Sequence, residues 1–175
     1  MKRVGLFVDV CNLYYSIKSY IGPNARADFN LLKDIAEGED GDKITKAIAY
    51  CNDVPNQQVF LAFLQGLGYE VKVKESHLVN SKPRLDWSVG ITLDIVRSLD
   101  RLDLVVLCSS NREYAPVLDY CRERGVETLV VGANISEKLK RASVWMELDE
   151  TTTTNTADCL DLLPDRGGHV PGSAG

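Results

Sequence analysis

The stretch LDLVVLCSSNREYAPVLDYCRERGVETLVV, residues 102–131, decides the fold. Residues 102–108 form an apolar run of strand length, and 126–131 form another. Between them, 114–124 place apolar side chains at helical spacing. Pro116 lies near the start of that segment, where a missing N–H costs nothing, and Gly125 lies just past its end. Strand, helix and strand in one short segment predict a βαβ crossover, the unit that joins parallel neighbours.

The same alternation continues in both directions. Apolar runs at 4–10, 43–51 and 69–74 read as strands, and 142–148 adds a short last one. Segments 29–36, 56–67, 87–99 and 136–142 read as amphipathic helices, with Pro55 ahead of the second and Gly66 and Gly68 near its end. Strands alternating with helices predict an α/β fold in which a central, mainly parallel sheet is flanked by helices on both faces. One domain is expected over 1–148. Beyond it, the threonines at 151–154 lead into a stretch with few large apolar residues, so 149–175 is expected to be a flexible, disordered acidic tail.

Composition bounds the function. Hydrophobic residues at 45% and charged residues at 26% exclude wholesale disorder and a fibrous repeat. No apolar run approaches the roughly 20 residues of a membrane span. The first residues, Met1-Lys2-Arg3, are followed by a short stretch already interrupted by Asp9, which is too charged for a secretory signal, so a cytoplasmic location is expected. Without such a signal the acceptor pattern Asn134-Ile135-Ser136 carries no weight. Five scattered cysteines with no C-x-x-C, and two histidines, argue against a zinc site and a disulfide framework. Cys51 and Cys108 close apolar runs, where a thiol serves as a small buried hydrophobe. Of the net charge of -5, the tail carries most and the body is nearly neutral, which argues against a passive nucleic-acid coat protein. An enzyme with its acids gathered in one site remains open.

In such sheets ligands bind at the carboxyl ends of the strands. After the first strand come Asp9 and Asn12. A carboxylate at the end of a buried strand is costly unless it is paired or holds a cation, and no Lys or Arg follows within the next eight residues. Asp9 also suits the cap of a helix beginning near Asn12. After the strand ending at Cys108 comes Ser109-Ser110-Asn111-Arg112-Glu113-Tyr114, a polar turn into a helix. It fits either a site at the same sheet edge or a capping segment, since Ser and Asn accept first-turn amides and Glu113 suits the helix dipole. Asp86 immediately precedes the helix of 87–99, and Asp94 lies about 12 Å further along it, too far for both to share one ion. Asp86 is therefore the better ligand, and Asp94 is expected to orient a neighbour or pair with a basic side chain.

Asp9-x-x-Asn12-Leu13-Tyr14, the Lys-rich approach to Asp86 with Asp94 behind it, and the strand ending in Ser109 together resemble the NYN domain, specifically its LabA-like branch, within the PIN-like nuclease superfamily. The resemblance spans 3–148. It implies a PIN-like three-layer sandwich, an acidic pocket holding Mg²⁺ or Mn²⁺, and metal-dependent hydrolysis of RNA. Carried over by position, Asp9 and Asp86 are metal ligands and Asn12 a supporting polar residue. The third motif departs from the family, which usually reads Ser-Gly-Asp-x-Asp-Phe. One aspartate becomes Asn111 and the next becomes Glu113. Hard cations are held chiefly by anionic oxygen, so Asp9, Asp86 and Glu113 are expected to hold one ion, and a two-metal site is harder to assemble.

Other acid-bearing folds fit less well. A receiver domain wants an acidic pair early in the chain and a Lys after a late strand, and an aspartyl phosphatase wants Asp where Cys11 stands. Neither G-x-G-x-x-G nor P-loop spacing occurs. For substrate, Arg84 and Arg112 lie near the expected pocket, with Lys72, Lys74 and Lys82 beyond, and Ser109 on its edge; ordinary solvated surface accounts for most such lysines. Tyr14, Tyr15 and Trp87 flank the acidic motifs, either stacking on unpaired bases or filling core. The expected function is a metal-dependent endoribonuclease on single-stranded RNA with Asp9, Asn12, Asp86, Asp94, Asn111 and Glu113 at its centre, without a membrane and with a homodimer open. The alternative is a catalytically weak NYN domain that binds RNA or a protein.

Overall fold

The structure, a computed structural model, describes residues 1–53, 55–74 and 86–154, together with the backbone of 77–79 and 82–84. The expected tail beyond 154 lies outside the described residues. The chain runs β1 (Arg3–Asp9), α1 (Val10–Tyr20), β2 (Arg26–Ala27), α2 (Phe29–Glu37), β3 (Lys43–Asn52), α3 (Gln58–Gly66) and β4 (Glu70–Lys74). A small hairpin follows, β5 (His77–Val79) with β6 (Lys82–Arg84), and then α4 (Ser88–Ser98). The second half is β7 (Leu104–Cys108), α5 (Ala115–Glu123), β8 (Glu127–Gly132), α6 (Glu137–Ala142), β9 (Val144–Glu147) and β10 (Thr153–Thr154). No helix among the described residues is long and apolar enough to cross a membrane.

Six strands form one parallel sheet in the order β4-β3-β1-β7-β8-β9. From β1 the chain steps outward to β3 and β4, then returns over α4 to β7 on the other side of β1 and steps outward again. Both halves are the βαβ unit that 102–131 predicts, and the two meet at β1 and β7.

Side chains on a strand alternate between faces, and each face has its own core. Leu6, Val8, Ala49, Cys51, Val106 and Cys108 pack with the helices α1, α2 and α3. Phe7, Ile48, Tyr50, Val105 and Leu107 pack with α4, α5 and α6. This is the expected α/β sandwich of three layers. Cys51 and Cys108 are buried as small hydrophobes, and burial pushes the Cys51 thiol up to about 12.

The ends of elements follow local chemistry. Val10 reads in sequence as the end of a strand but opens α1, because Asp9 caps that helix. The Asp28 carboxylate accepts the Asn30 and Leu31 amides at the start of α2, and Gly38 ends it in the left-handed region at φ 58°. Past the expected boundary at 148, Asp149 accepts the amides of Thr151 and Thr152, and Thr153 and Thr154 pair antiparallel with β2. Such two-residue strands carry no periodicity for a sequence reading to detect.

Gly5 sits where the register of β1 against β3 slips. A Cβ there would come within 2.6 Å of Leu102 and 2.7 Å of Phe7, both buried. Gly5→Ala is expected to lower stability by about 1–3 kcal/mol through overpacking, read as a drop in the urea midpoint at constant m-value.

Candidate active site

β1 and β7 are where the direction of winding reverses, and in open parallel sheets the carboxyl ends of the strands at that point are where ligands bind. Asp9 ends β1 on the face of Phe7 and is only 5% exposed. Its Oδ2 accepts the Tyr114 hydroxyl at 2.8 Å and its Oδ1 the Asn12 amide at 3.4 Å. Burial drives the Asp9 pKa above the usual carboxylate range and the nearby Asp86 charge adds to this, while bonds from Tyr114, Asn12 and Ser109 pull the other way without prevailing. No Lys or Arg pairs with Asp9 among the described residues.

Asp86 is placed by its neighbour Trp87. The Trp87 indole donates to the Cys51 carbonyl at 3.0 Å and packs edge-on against Tyr50 at 5.2 Å. Lys74 stands over the Trp87 ring and donates to the Asp86 carbonyl oxygen. Asp86 itself is exposed, and its carboxylate accepts the Ser88 amide at 2.8 Å. The acid thus stands at the mouth of α4, close enough to Asp9 to perturb it.

The third wall comes from the turn after β7. The Asn12 Oδ1 accepts the Ser110 amide at 2.8 Å, tying the end of β1 to that turn. Fully buried Ser109 accepts the Asn111 amide, and Ser110 donates to the Ala133 carbonyl. Gly132 lets this turn lie flat, since a Cβ there would meet Ser110 Oγ at 2.7 Å and the Ser109 carbonyl oxygen at 3.2 Å. Asn111 caps the 3-10 turn Arg112–Tyr114, its Oδ1 accepting the Glu113 amide. The capping use of Asp9 and Asn111 is therefore realised in both.

The remaining sequence candidates lie elsewhere. Glu113 is exposed beside Arg112 at 3.5 Å, and among the described residues no three Asp, Glu, His or Cys side chains gather into a cation site. Of the two places the sequence leaves open for Tyr14, it takes the core side: it is 6% exposed, and Tyr15, Lys18 and Arg26 surround its ring. Asp94, on α4, reaches across to β3 and β4, accepting the Tyr50 hydroxyl and the Lys72 ammonium, each at 2.8 Å. Arg84 ends β6, and its side chain lies outside the described part.

Residues 3–147 match the family model of the NYN domain. The chain belongs to the NYN domain family. As an NYN domain it falls within the PIN-like nuclease superfamily. It is also similar to the crystal structure of a protein of unknown function from Vibrio parahaemolyticus RIMD 2210633, with a TM-score of 0.79 and 24% identity over 87% of this chain and 96% of that one. At that identity the likeness supports the fold alone. No curated protein matches the sequence.

The residue that sequence reasoning missed in this NYN domain is Tyr114, taken only as the start of a helix. The family pattern has Phe at its position, and the extra hydroxyl is what reaches Asp9. Tyr114→Phe should cost about 1–3 kcal/mol, because it leaves a buried carboxylate oxygen short of a donor. The deficit should shrink as pH falls through the raised Asp9 pKa, since a protonated Asp9 loses less; urea melts over a range of pH check this.

Asp94 is perturbed in the opposite direction to Asp9. Burial raises its pKa, but the bonds from Lys72 and Tyr50 outweigh that and hold it below its ordinary value of 3.8. The pair therefore stabilises the fold fully above that ordinary value, and the contribution disappears as pH falls through the lowered folded value. Asp94→Asn should be less stable at pH 7 by about 1–3 kcal/mol and show a shallower loss of stability in acid, followed by circular dichroism.

Proposed function

We propose that this NYN domain is a metal-dependent endoribonuclease of the LabA-like branch that acts on single-stranded RNA. The observation that supports it is Asp9, a buried carboxylate ringed by neutral donors with a second carboxylate, Asp86, at the same crevice. Burying an ionised acid without a cationic partner is costly, and a bound cation removes that cost.

The donor set fits one hard cation. Mg²⁺ is commonly held by one or two carboxylates, with waters and substrate phosphate completing its shell. Asp9 and Asp86 would supply the two carboxylates. The asparagines offer only neutral oxygens, and these already accept the Ser110 and Glu113 amides, so the negative charge comes from the two carboxylates. The ion would lower the pKa of a bound water and polarise a phosphate. The protein's own part is positional. Tyr114 and Ser109 fix the Asp9 carboxylate, Asn12 ties it to the turn after β7, and Trp87 sets Asp86 at the helix mouth.

The exposed position of Glu113 favours a second reading, in which two carboxylates are too few for efficient chemistry and the domain binds RNA or a protein partner without cutting. One assay separates the two. Labelled single-stranded RNA incubated with the protein and Mn²⁺ should be cleaved, and cleavage should vanish in EDTA and in Asp9→Asn. Cleavage that survives either control is a contaminant and overturns the enzyme reading, while RNA that is bound but intact supports the alternative.

A further inference from the structure

The turn that carries Ser110 and Asn111 borders a cavity of about 500 Å³, whose lining includes Asn12 but neither Asp9 nor Asp86. Its volume is in the range of small-molecule and nucleotide sites. Asn12, Tyr20, Arg112 and Asn134 line it together with that turn. Asn12 thus joins it to the acidic pair, since its backbone amide donates to Asp9.

The unspent groups in this wall are mostly donors. Asn12 uses its oxygen on the Ser110 amide, and its NH₂ makes no hydrogen bond among the described residues. Asn134 is held in the left-handed region at φ 54°, and its side chain likewise makes none. Two cations face the cavity, but they are not equivalent. Lys140 is pinned by Glu147 at 3.1 Å, Glu137 at 3.7 Å and the Trp145 ring at 4.6 Å, so its charge is already matched. Arg112 is 72% exposed and meets only its neighbour Glu113, at 3.5 Å. At the rim Tyr20 is 65% exposed and has no ring or hydrogen-bond partner among the described residues.

One available guanidinium, two idle amides and one bare aromatic ring suit one phosphate, one ribose and one base. We propose that this cavity is a nucleotide subsite of the RNA chain, with Arg112 on a phosphate, Asn12 and Asn134 on sugar and phosphate oxygens, and Tyr20 stacked on the base. The proposal rests on the reading of RNA as substrate. It names where the strand leaves the acidic crevice, and it requires an unpaired base, because a duplex does not splay its bases onto a side chain.

Binding is measured without cleavage, in EDTA and with Asp9→Asn as the parent, by fluorescence anisotropy of labelled octauridylate. Tyr20→Ala should weaken binding about tenfold or more through lost stacking. Asn134→Gly, which keeps the positive φ accessible, should weaken it several-fold. Arg112→Gln should flatten the salt dependence by about 0.7 in log-log slope, as one phosphate contact on a single strand requires. Unchanged thermal midpoints in the first two variants show that the loss is not unfolding. Unaltered octauridylate affinity in both Tyr20→Ala and Asn134→Gly overturns the subsite, even if the parent without the Asp9 change cleaves RNA. No binding of the octamer by the parent overturns it too, and leaves the cavity to a protein segment. Uridine monophosphate binding as tightly as the octamer overturns the placement on a chain. Retained subsite effects in a protein that never cleaves support the subsite and reject only the nuclease reading.

Discussion

The centre of this molecule is a buried carboxylate at the end of its middle strand. Asp9 ends a strand flanked by β3 and β7 and is only 5% exposed, so little solvent reaches it. Its surroundings are arranged to tolerate that. The Tyr114 hydroxyl, the Asn12 amide and Ser109 come from two strand ends that meet only because the winding direction reverses between β1 and β7. Neutral donors lessen the cost of ionisation without removing it.

The face of the sheet that holds Asp9 repeats one device. Tyr50 and Tyr114 are among its largest fully buried side chains, and each gives its hydroxyl to an aspartate. Burial pushes both phenols up, so they stay protonated as donors. Their aspartates differ in one respect. Asp94 also has Lys72 and is stabilised as a charge, whereas Asp9 has only neutral donors and a second acid nearby. The same hydroxyl therefore completes an ion pair in one place and steadies a strained carboxylate in the other.

Trp87 links the two. It packs on Tyr50, bonds to the backbone at Cys51 and carries Asp86 as its chain neighbour. Gly90 allows this, because a Cβ on the next turn of α4 would lie 2.8 Å from the indole ring. The position of the second acid is thus a consequence of core packing beneath it.

Apolar period determined most of the fold. Runs such as 104–108 and helical spacing such as 115–123 fix element type and order locally, and strands alternating with helices leave a parallel sheet as the ready solution. Asp9, Asn12 and Ser109 were legible as site candidates because they follow apolar runs, and strand ends in such sheets face the crevice. Short pieces escaped, because β2 and β10 are held by each other across more than a hundred residues and have no local pattern. Which candidates converge was decided in three dimensions. Tyr14 and Glu113 sit beside the right motifs, yet one turns into the core and the other out to solvent, a choice made by helix rotation. Tyr114 looked like helix filler until its burial opposite Asp9 gave its hydroxyl a partner 105 residues away. Sequence spacing records a residue's place along its own element, whereas a site depends on the rotation and depth of neighbouring elements, and those are set only when the whole core packs.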